Sequence, residues 1–417
     1  MENTIVLTMK EQRRVEVIQR VLRGEMTMGG AALVLGVTER QSFRIKARVR
    51  EEGIKGVIHG NRGRPCRWKL SEKAERKIVE AARGKYRGFN DHHLTEKLEE
   101  EGIKLSREKV RRVLRAQGIG SPRKRRAPRH RSRRMRREAE GMMVQIDGSP
   151  HDWLEGRGPR LCLVGAIDDA TSKVPAAFFE EQETSAAYFR LFLEIGRTQG
   201  LPLSAYADRH SIFWTDREPT VEEQLAGKHP MTQVGRALEE LGVTLIPAGS
   251  PQAKGRIERL WGSFQDRLVS ELRLAGAKNK EQAQAVLKKF LPPYNRRFSK
   301  PAVKALPAWR KVEARRLEQS LCFKYQRTVA KDNTVQFSGA LFQIPRPSPH
   351  RSYANKKVQL HVLLDGAVEL FYQGEKIARF DSKTTRTIGL YRTNGRWEVS
   401  RYGPETTHPE QLYELSP

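Results

Sequence analysis

"GMMVQIDGSPHDWL", residues 141–154, is the stretch on which the fold turns. Its apolar run from Met142 to Ile146 reads as a strand that ends at Asp147 and a glycine. Downstream, RLCLVGAIDDATS supplies a second apolar strand and VPAAFFEEQ a third, with Gly and Pro at the joins. ETSAAYFRLFLEIGRTQG then places Ala187, Phe189, Leu191, Phe192 and Ile195 within an amphipathic helix. LSAYAD is a fourth strand closing on Asp208, and GVTLIPAG is a fifth after the helical TQVGRALEELG. In QAKGRIERLWGSFQDRLVSEL, Ile257, Leu260, Trp261, Phe264, Leu268 and Leu272 recur at steps of three and four, which defines one buried stripe. This order predicts an α/β domain with a mixed five-stranded sheet over residues 139–300.

Upstream of that domain the composition changes. SPRKRRAPRHRSRRMRR, residues 121–137, holds ten Lys and Arg and no acid, including Arg123, Lys124, Arg125 and Arg126. Charge this dense resists packing until a polyanion neutralises it, so 121–138 reads as a basic linker. Before it lie two helical modules, over 1–60 and 61–120. In the first, Gly36 breaks two helices, Thr38 is placed to cap the second, and Gln41 stands at the capping-box position. That second helix carries Arg40, Gln41, Arg44, Lys46 and Arg48, side chains able to reach phosphates or base edges, the pattern of a helix-turn-helix. The second module repeats the architecture: DHHLTEKLEEEG, then LSREKVRRVLRAQG capped by Ser106, with Arg107, Arg111, Arg112 and Arg115 as a second reading face. Between them, Arg62-Gly63-Arg64-Pro65 resembles an AT-hook that could enter a narrow minor groove, and reads equally as a plain linker.

Whole-chain composition agrees with a nucleic-acid partner. The chain has 417 residues, room for several domains, and 78 Lys and Arg against 49 Asp and Glu give a net charge of +29. No apolar stretch is long enough to span a bilayer, and the first residues lack the pattern of a secretory signal, so a cytoplasmic, nucleoid-associated location in a bacterial cell is expected. Cys66, Cys162 and Cys322 are too scattered for a disulfide framework or a Cys-x-x-Cys zinc site.

The chemistry lies in the acids. Asp147 and Asp208 both follow apolar strands, and Glu258 sits about 100° round its helix from the buried stripe, at the margin of the core. Three carboxylates brought close need a compensating cation, and all-oxygen ligation suits Mg²⁺, with Mn²⁺ as a substitute. Two such ions about 4 Å apart can serve an in-line phosphoryl displacement. Asp168 and Asp169 read instead as a turn, Asp152 as a neighbour of the site, and Asp216 as a solvated residue. His210 reads as a packing or DNA-contacting residue, whereas Lys254 and Arg256 either grip phosphate near the scissile bond or form a charged helix face.

QIDGSPHDW, IDDATS, YADRHSIF and SPQAKGRIERLWGSFQDRLV together resemble the DDE transposases of bacterial insertion sequences, ISNCY-type group, within the retroviral-integrase superfamily. The resemblance spans nearly the whole chain. It implies a ribonuclease-H-like core, a catalytic and metal-binding triad of Asp147, Asp208 and Glu258, and an active form that is at least a homodimer, since two element ends must be paired. It implies binding to terminal inverted repeats and target DNA, with 3′-end cleavage and strand transfer. The interval from Asp208 to Glu258 is wider than the integrase pattern, through the polar insert 214–232. The alternative is a catalytically inactive, transposase-derived DNA-binding regulator.

After the core, FLPPYNRRFSKPA forms a Pro-rich exit and KVEARRLEQSLCFKYQRTV a connecting helix leading into strands, within 301–330. VQFSGALFQIP, KVQLHVLLDG, AVELFYQG and EKIARF predict short strands with tight turns, a small all-β SH3-like barrel over 331–385, before a polar tail over 386–417.

Overall fold

The computed structural model describes residues 5–64, 70–122, 134–225, 227, 229–249, 254–345, 352–380, 388–393 and 396–401. It divides into two compact units, Met1–Lys77 and Ile78–Pro417.

In the first unit, α1 (Met9–Leu22), α2 (Met28–Leu35) and α3 (Glu39–Glu52) pack through Val17, Ile18, Val21, Ala31, Ile45 and Val57. The expected helix-turn-helix is present. α2 stops at Gly36, whose left-handed φ of 61° suits glycine, and Thr38 caps α3 in a full capping box with Gln41. Phe43 is 54% exposed on α3, next to Arg44 in sequence.

The division between Lys77 and Ile78 falls within α4 (Glu72–Arg83), and the second unit continues with α5 (Asp91–Glu100) and α6 (Arg107–Ala116), capped by Asn90 and Ser106. The predicted five-stranded sheet follows: β1 (Val144–His151), β2 (Leu161–Asp168), β3 (Ala177–Glu180), β4 (Ser204–Ala207) and β5 (Thr244–Pro247). Its order is β3-β2-β1-β4-β5, antiparallel through the first three and parallel from β1 to β4 and β5. Between β3 and β4 runs α7 (Ser185–Thr198); α8 (Val221–Leu225) and α9 (Gln233–Glu240) precede β5; α10 (Gly255–Leu274) and α11 (Lys280–Phe298) follow it.

Strand alternation divides two cores. Val144, Ile146, Cys162, Val164 and Ala166 face α7 and α9, while Leu161, Leu163 and Ile167 face α10 and α11. By the same alternation Gln145 and Asp147 share the face of α10. Two expectations need correction. Asp147 lies inside β1, which continues to His151, and α11 runs through Pro292 and Pro293, which were read as the exit from the core.

The chain then forms α12 (Ala314–Ser320) and β6 (Phe323–Thr328), β7 (Thr334–Phe337), β8 (Ala340–Gln343), β9 (Lys357–Val362), β10 (Val368–Tyr372) and β11 (Glu375–Phe380). They make a four-stranded antiparallel sheet, β11-β10-β9-β6, and a separate β7-β8 hairpin whose turn puts Ser338 and Gly339 at φ 49° and 78°. Residues within the expected tail form a further hairpin, β12 (Ile388–Thr393) with β13 (Arg396–Arg401).

His361 on β9 is 5% exposed and stands opposite Lys324 in the β6–β9 ladder. Burial, with Lys324 and Arg236 nearby, pushes its pKa down to about 4. An unfolded imidazole titrates near 6.5, so the stability gained by keeping His361 neutral is complete above that pH and is lost as pH falls toward 4. Urea melts that follow the C-terminal sheet are expected to show a loss of roughly 2–3 kcal/mol between pH 7 and 4, absent in His361→Phe.

Candidate active site

Register brings the two aspartates together. β1 and β4 pair in parallel with Val144 opposite Ala205 and Gln145 opposite Tyr206, so Asp147 and Asp208 fall at the same level two residues further on. The Lys254 ammonium lies between them, 2.6 Å from Asp147 Oδ1 and 3.2 Å from Asp208 Oδ2. The second Asp147 oxygen accepts a 3.0 Å hydrogen bond from Trp261 Nε1. Gly165, opposite Asp147 on β2, gives the indole room: a Cβ there would lie 3.0 Å from Trp261 Cη2. Asp208 is held at its backbone, where its carbonyl accepts from Trp214 Nε1 at 2.9 Å, and its carboxylate accepts from the His210 amide at 3.2 Å.

The start of α10 is fixed by a residue that sequence reading passed over. No side chain caps this helix at Lys254. Buried Gln145 instead accepts from the Ile257 amide at 3.2 Å and donates to Asp169 at 3.1 Å. A polar residue in an apolar strand, two before Asp147 and therefore on its face, was the available signal. Glu183 was missed as well. Its carboxylate covers Gly148, where a Cβ would lie 2.5 Å from Oε2, and it accepts from the Tyr188 hydroxyl.

Burial pushes the Asp147 carboxyl above its ordinary range, against the opposing pull of Lys254 and Trp261. Burial would lower Lys254, but Asp147 and Asp208 outweigh it and the ammonium is held more firmly than usual. Burial also raises Glu183, and the charges of Asp147 and Asp208 add to that rise.

Glu258 is exposed, and among the described residues no three His, Cys, Asp or Glu side chains gather closely enough to hold a metal ion. Its position on α10 still relates it to the pair. Lys254 is four residues before it and Trp261 three after, so the three lie within about 60° of arc on one side of the helix. Both neighbours bond Asp147. Asp147 and Asp208 fit a cation, since they already gather on the ammonium, which stands in for one, and the surrounding donors are oxygen and nitrogen without a thiolate.

The y4bF protein of Sinorhizobium fredii, which bears a transposase name, is 33% identical to this chain over 376 residues, 89% of this chain and 81% of that protein. The chain belongs to the insertion-sequence transposases. The transposase for insertion sequence IS1202 of Streptococcus pneumoniae is 27% identical, over 97% of this chain and 94% of that one. Residues 14–76 of the transposase match the winged helix-turn-helix family. Two retroviral structures also align. The HTLV-2 integrase catalytic core domain in complex with magnesium gives a TM-score of 0.26 at 16% identity, over 35% of this chain and 83% of that one. A chain of the simian T-cell lymphotropic virus intasome in complex with the PP2A regulatory subunit B56 gamma gives 0.31 at 13% identity, over 69% and 95%.

In the transposase, Arg40, Gln41 and Arg44 are exposed on α3, while Arg48 is half-buried and donates to the Ile58 carbonyl. Arg62 pairs with Glu11, and Arg64 is exposed. On α6, Arg107, Arg111 and Arg112 are exposed, whereas Arg115 is tied to Asp91 at 2.6 Å and to the Ile119 carbonyl. Arg123, Lys124, Arg125 and Arg126 lie outside the described residues. Arg256 is occupied by buried Asp169 at 2.7 Å, and Arg134 also pairs with that carboxylate. Asp168 accepts from Gly141 and Thr171, so both acids of the IDDATS turn serve the structure. Cys162 and Cys322 are free and buried, and no helix among the described residues is long and apolar enough to cross a membrane.

Proposed function

We propose that this transposase binds the terminal inverted repeats of its element, hydrolyses a strand at the 3′ end, and joins that end to target DNA. The observation that carries this reading is the gathering of Asp147 and Asp208, from adjacent parallel strands, on a single cation. Glu258 joins them as the third acid, on the strength of its helix face and of the transposase motif around it. The 1–60 and 61–120 modules read the repeat through α3 and α6, and the 121–138 linker tracks phosphates. The core over 139–300 carries the chemistry, the 301–330 segment links it to an SH3-like domain over 331–385, and the 386–417 tail follows.

Asp147, Asp208 and Glu258 would hold Mg²⁺, two ions in the full site, with Mn²⁺ as a substitute; when bound, the metal supplies Lewis-acid stabilisation of an in-line phosphoryl displacement. The chain's own part is to fix those oxygens. Trp261 orients Asp147, the backbone around His210 orients Asp208, and Gln145 sets the start of α10. In the first reaction water attacks phosphorus, the P–O3′ bond breaks, and a 3′-hydroxyl is released. In the second, that hydroxyl attacks a target phosphodiester, exchanging one P–O bond for another. No protein nucleophile is needed. Pairing two ends calls for at least a homodimer.

The test is strand transfer by purified protein on a labelled duplex carrying the terminal sequence beside its own gene, with Mg²⁺ or EDTA. Metal-dependent joining to target DNA is expected. Tight, specific binding without metal-dependent cleavage or joining would replace this reading with a regulatory one.

A further inference from the structure

Lys254 occupies the two carboxylates that the proposed chemistry needs for metal. Its ammonium is within 3.2 Å of both, and the residue is only 7% exposed. The pair is not sealed. The Asp208 side chain is 48% exposed against 19% for Asp147, so the oxygens are approached from the Asp208 side. Lys254 also stands at the boundary of α10, on a long stem with no capping bond of its own to the helix. A divalent cation on the same oxygens would lie beside the ammonium with like charge, so the two compete for the site. The ammonium needs another anion if it leaves. A DNA phosphate brought to the site is that anion.

We propose that Lys254 couples metal loading to DNA binding. Without DNA the ammonium holds Asp147 and Asp208 together and opposes metal; with DNA bound, a phosphate takes the ammonium and the carboxylates become free. Coupling of this kind is reciprocal, so metal strengthens DNA binding by the same factor. The inference rests on the reading of Asp147 and Asp208 as metal ligands, and adds a positioning role for Lys254 between metal and phosphate.

The test is Mn²⁺ binding to the full chain by calorimetry or electron paramagnetic resonance, with and without a duplex oligonucleotide of the element end. Lys254→Met should bind Mn²⁺ about tenfold more tightly than wild type in the absence of DNA, and gain less from adding it. Lys254→Arg, which keeps the charge, should stay near wild type. Equal or weaker Mn²⁺ binding by Lys254→Met, with wild type binding normally, overturns the coupling alone. Absence of Mn²⁺ binding by wild type in either condition overturns both the coupling and the metal-ligand reading. Should Lys254→Met fail to fold, wild type provides the measurement: Mn²⁺ should bind about tenfold more tightly with the duplex than without it, and equal binding in the two conditions overturns the proposal.

Discussion

Asp147→Asn and Asp208→Asn are each expected to lower strand transfer by roughly 10³-fold or more while leaving affinity for the terminal repeat, measured in EDTA, within about twofold. Asparagine keeps the shape of the side chain and removes its charge. At 147 its amide oxygen can still accept from Trp261 Nε1, and at 208 from the His210 amide, so the local fold should persist. What is lost is the paired negative charge that Lys254 now balances. The DNA-reading candidates lie on α3 and α6, remote in sequence from these residues, so binding and chemistry should separate cleanly. Glu258→Gln is expected to behave in the same way. Full strand transfer by any of these variants would remove that residue from the triad.

The difference between what was legible in the sequence and what was not follows the range of the interactions. The turn before α3 was legible because Thr38 and Gln41 cap it three residues apart. The sheet was legible because each strand is an apolar run bounded by turn residues. The extent of β1 was not. Asp147 and Gly148 read as its end, yet β1 stays paired with β2 as far as His151; Pro150 is tolerated there because β1 pairs with β4 only at Val144 and Gln145, and the side without that partner makes no demand for the missing proline N–H. Strand parity could have assigned Gln145 to the face of Asp147, and Asn394-Gly395 is a hairpin signal inside what was taken for a tail. The Lys254 bridge was beyond local reasoning, because it joins residues 107 and 46 positions apart.

Glu271→Ala is expected to loosen α5 from α10 by roughly 2–3 kcal/mol. Glu271 is the shared acceptor of that contact: His93 Nε2 lies 2.7 Å and Lys97 Nζ 2.9 Å from its Oε1. Arg267 with Glu96, and Asn90 with Asp266, flank it. The side chains are largely buried, with exposures of 4%, 16% and 17% for His93, Lys97 and Glu271, so removing the carboxylate costs His93 its acceptor and leaves Lys97 with only the exposed Glu100, 3.2 Å away, as partner. Burial holds the His93 pKa below its ordinary value despite Glu271, and Nδ1 has no partner, which together describe a neutral ring donating from Nε2. Burial would raise Glu271, but the bonds from His93 and Lys97 outweigh it and its pKa is lowered. Both depressions have the same sign in acid. Stability is complete above the unfolded histidine value near 6.5, declines below it as the unfolded chain takes protons that His93 refuses, and falls again below the ordinary carboxylate range as Glu271 is neutralised. Hydrogen exchange of the α5 amides measures this directly: protection should fall from pH 7 to 5 in wild type and be low already at pH 7 in Glu271→Ala. Since α5 supports α6, the same variant should weaken repeat binding if α6 reads DNA, and unchanged binding would assign recognition to α3 alone.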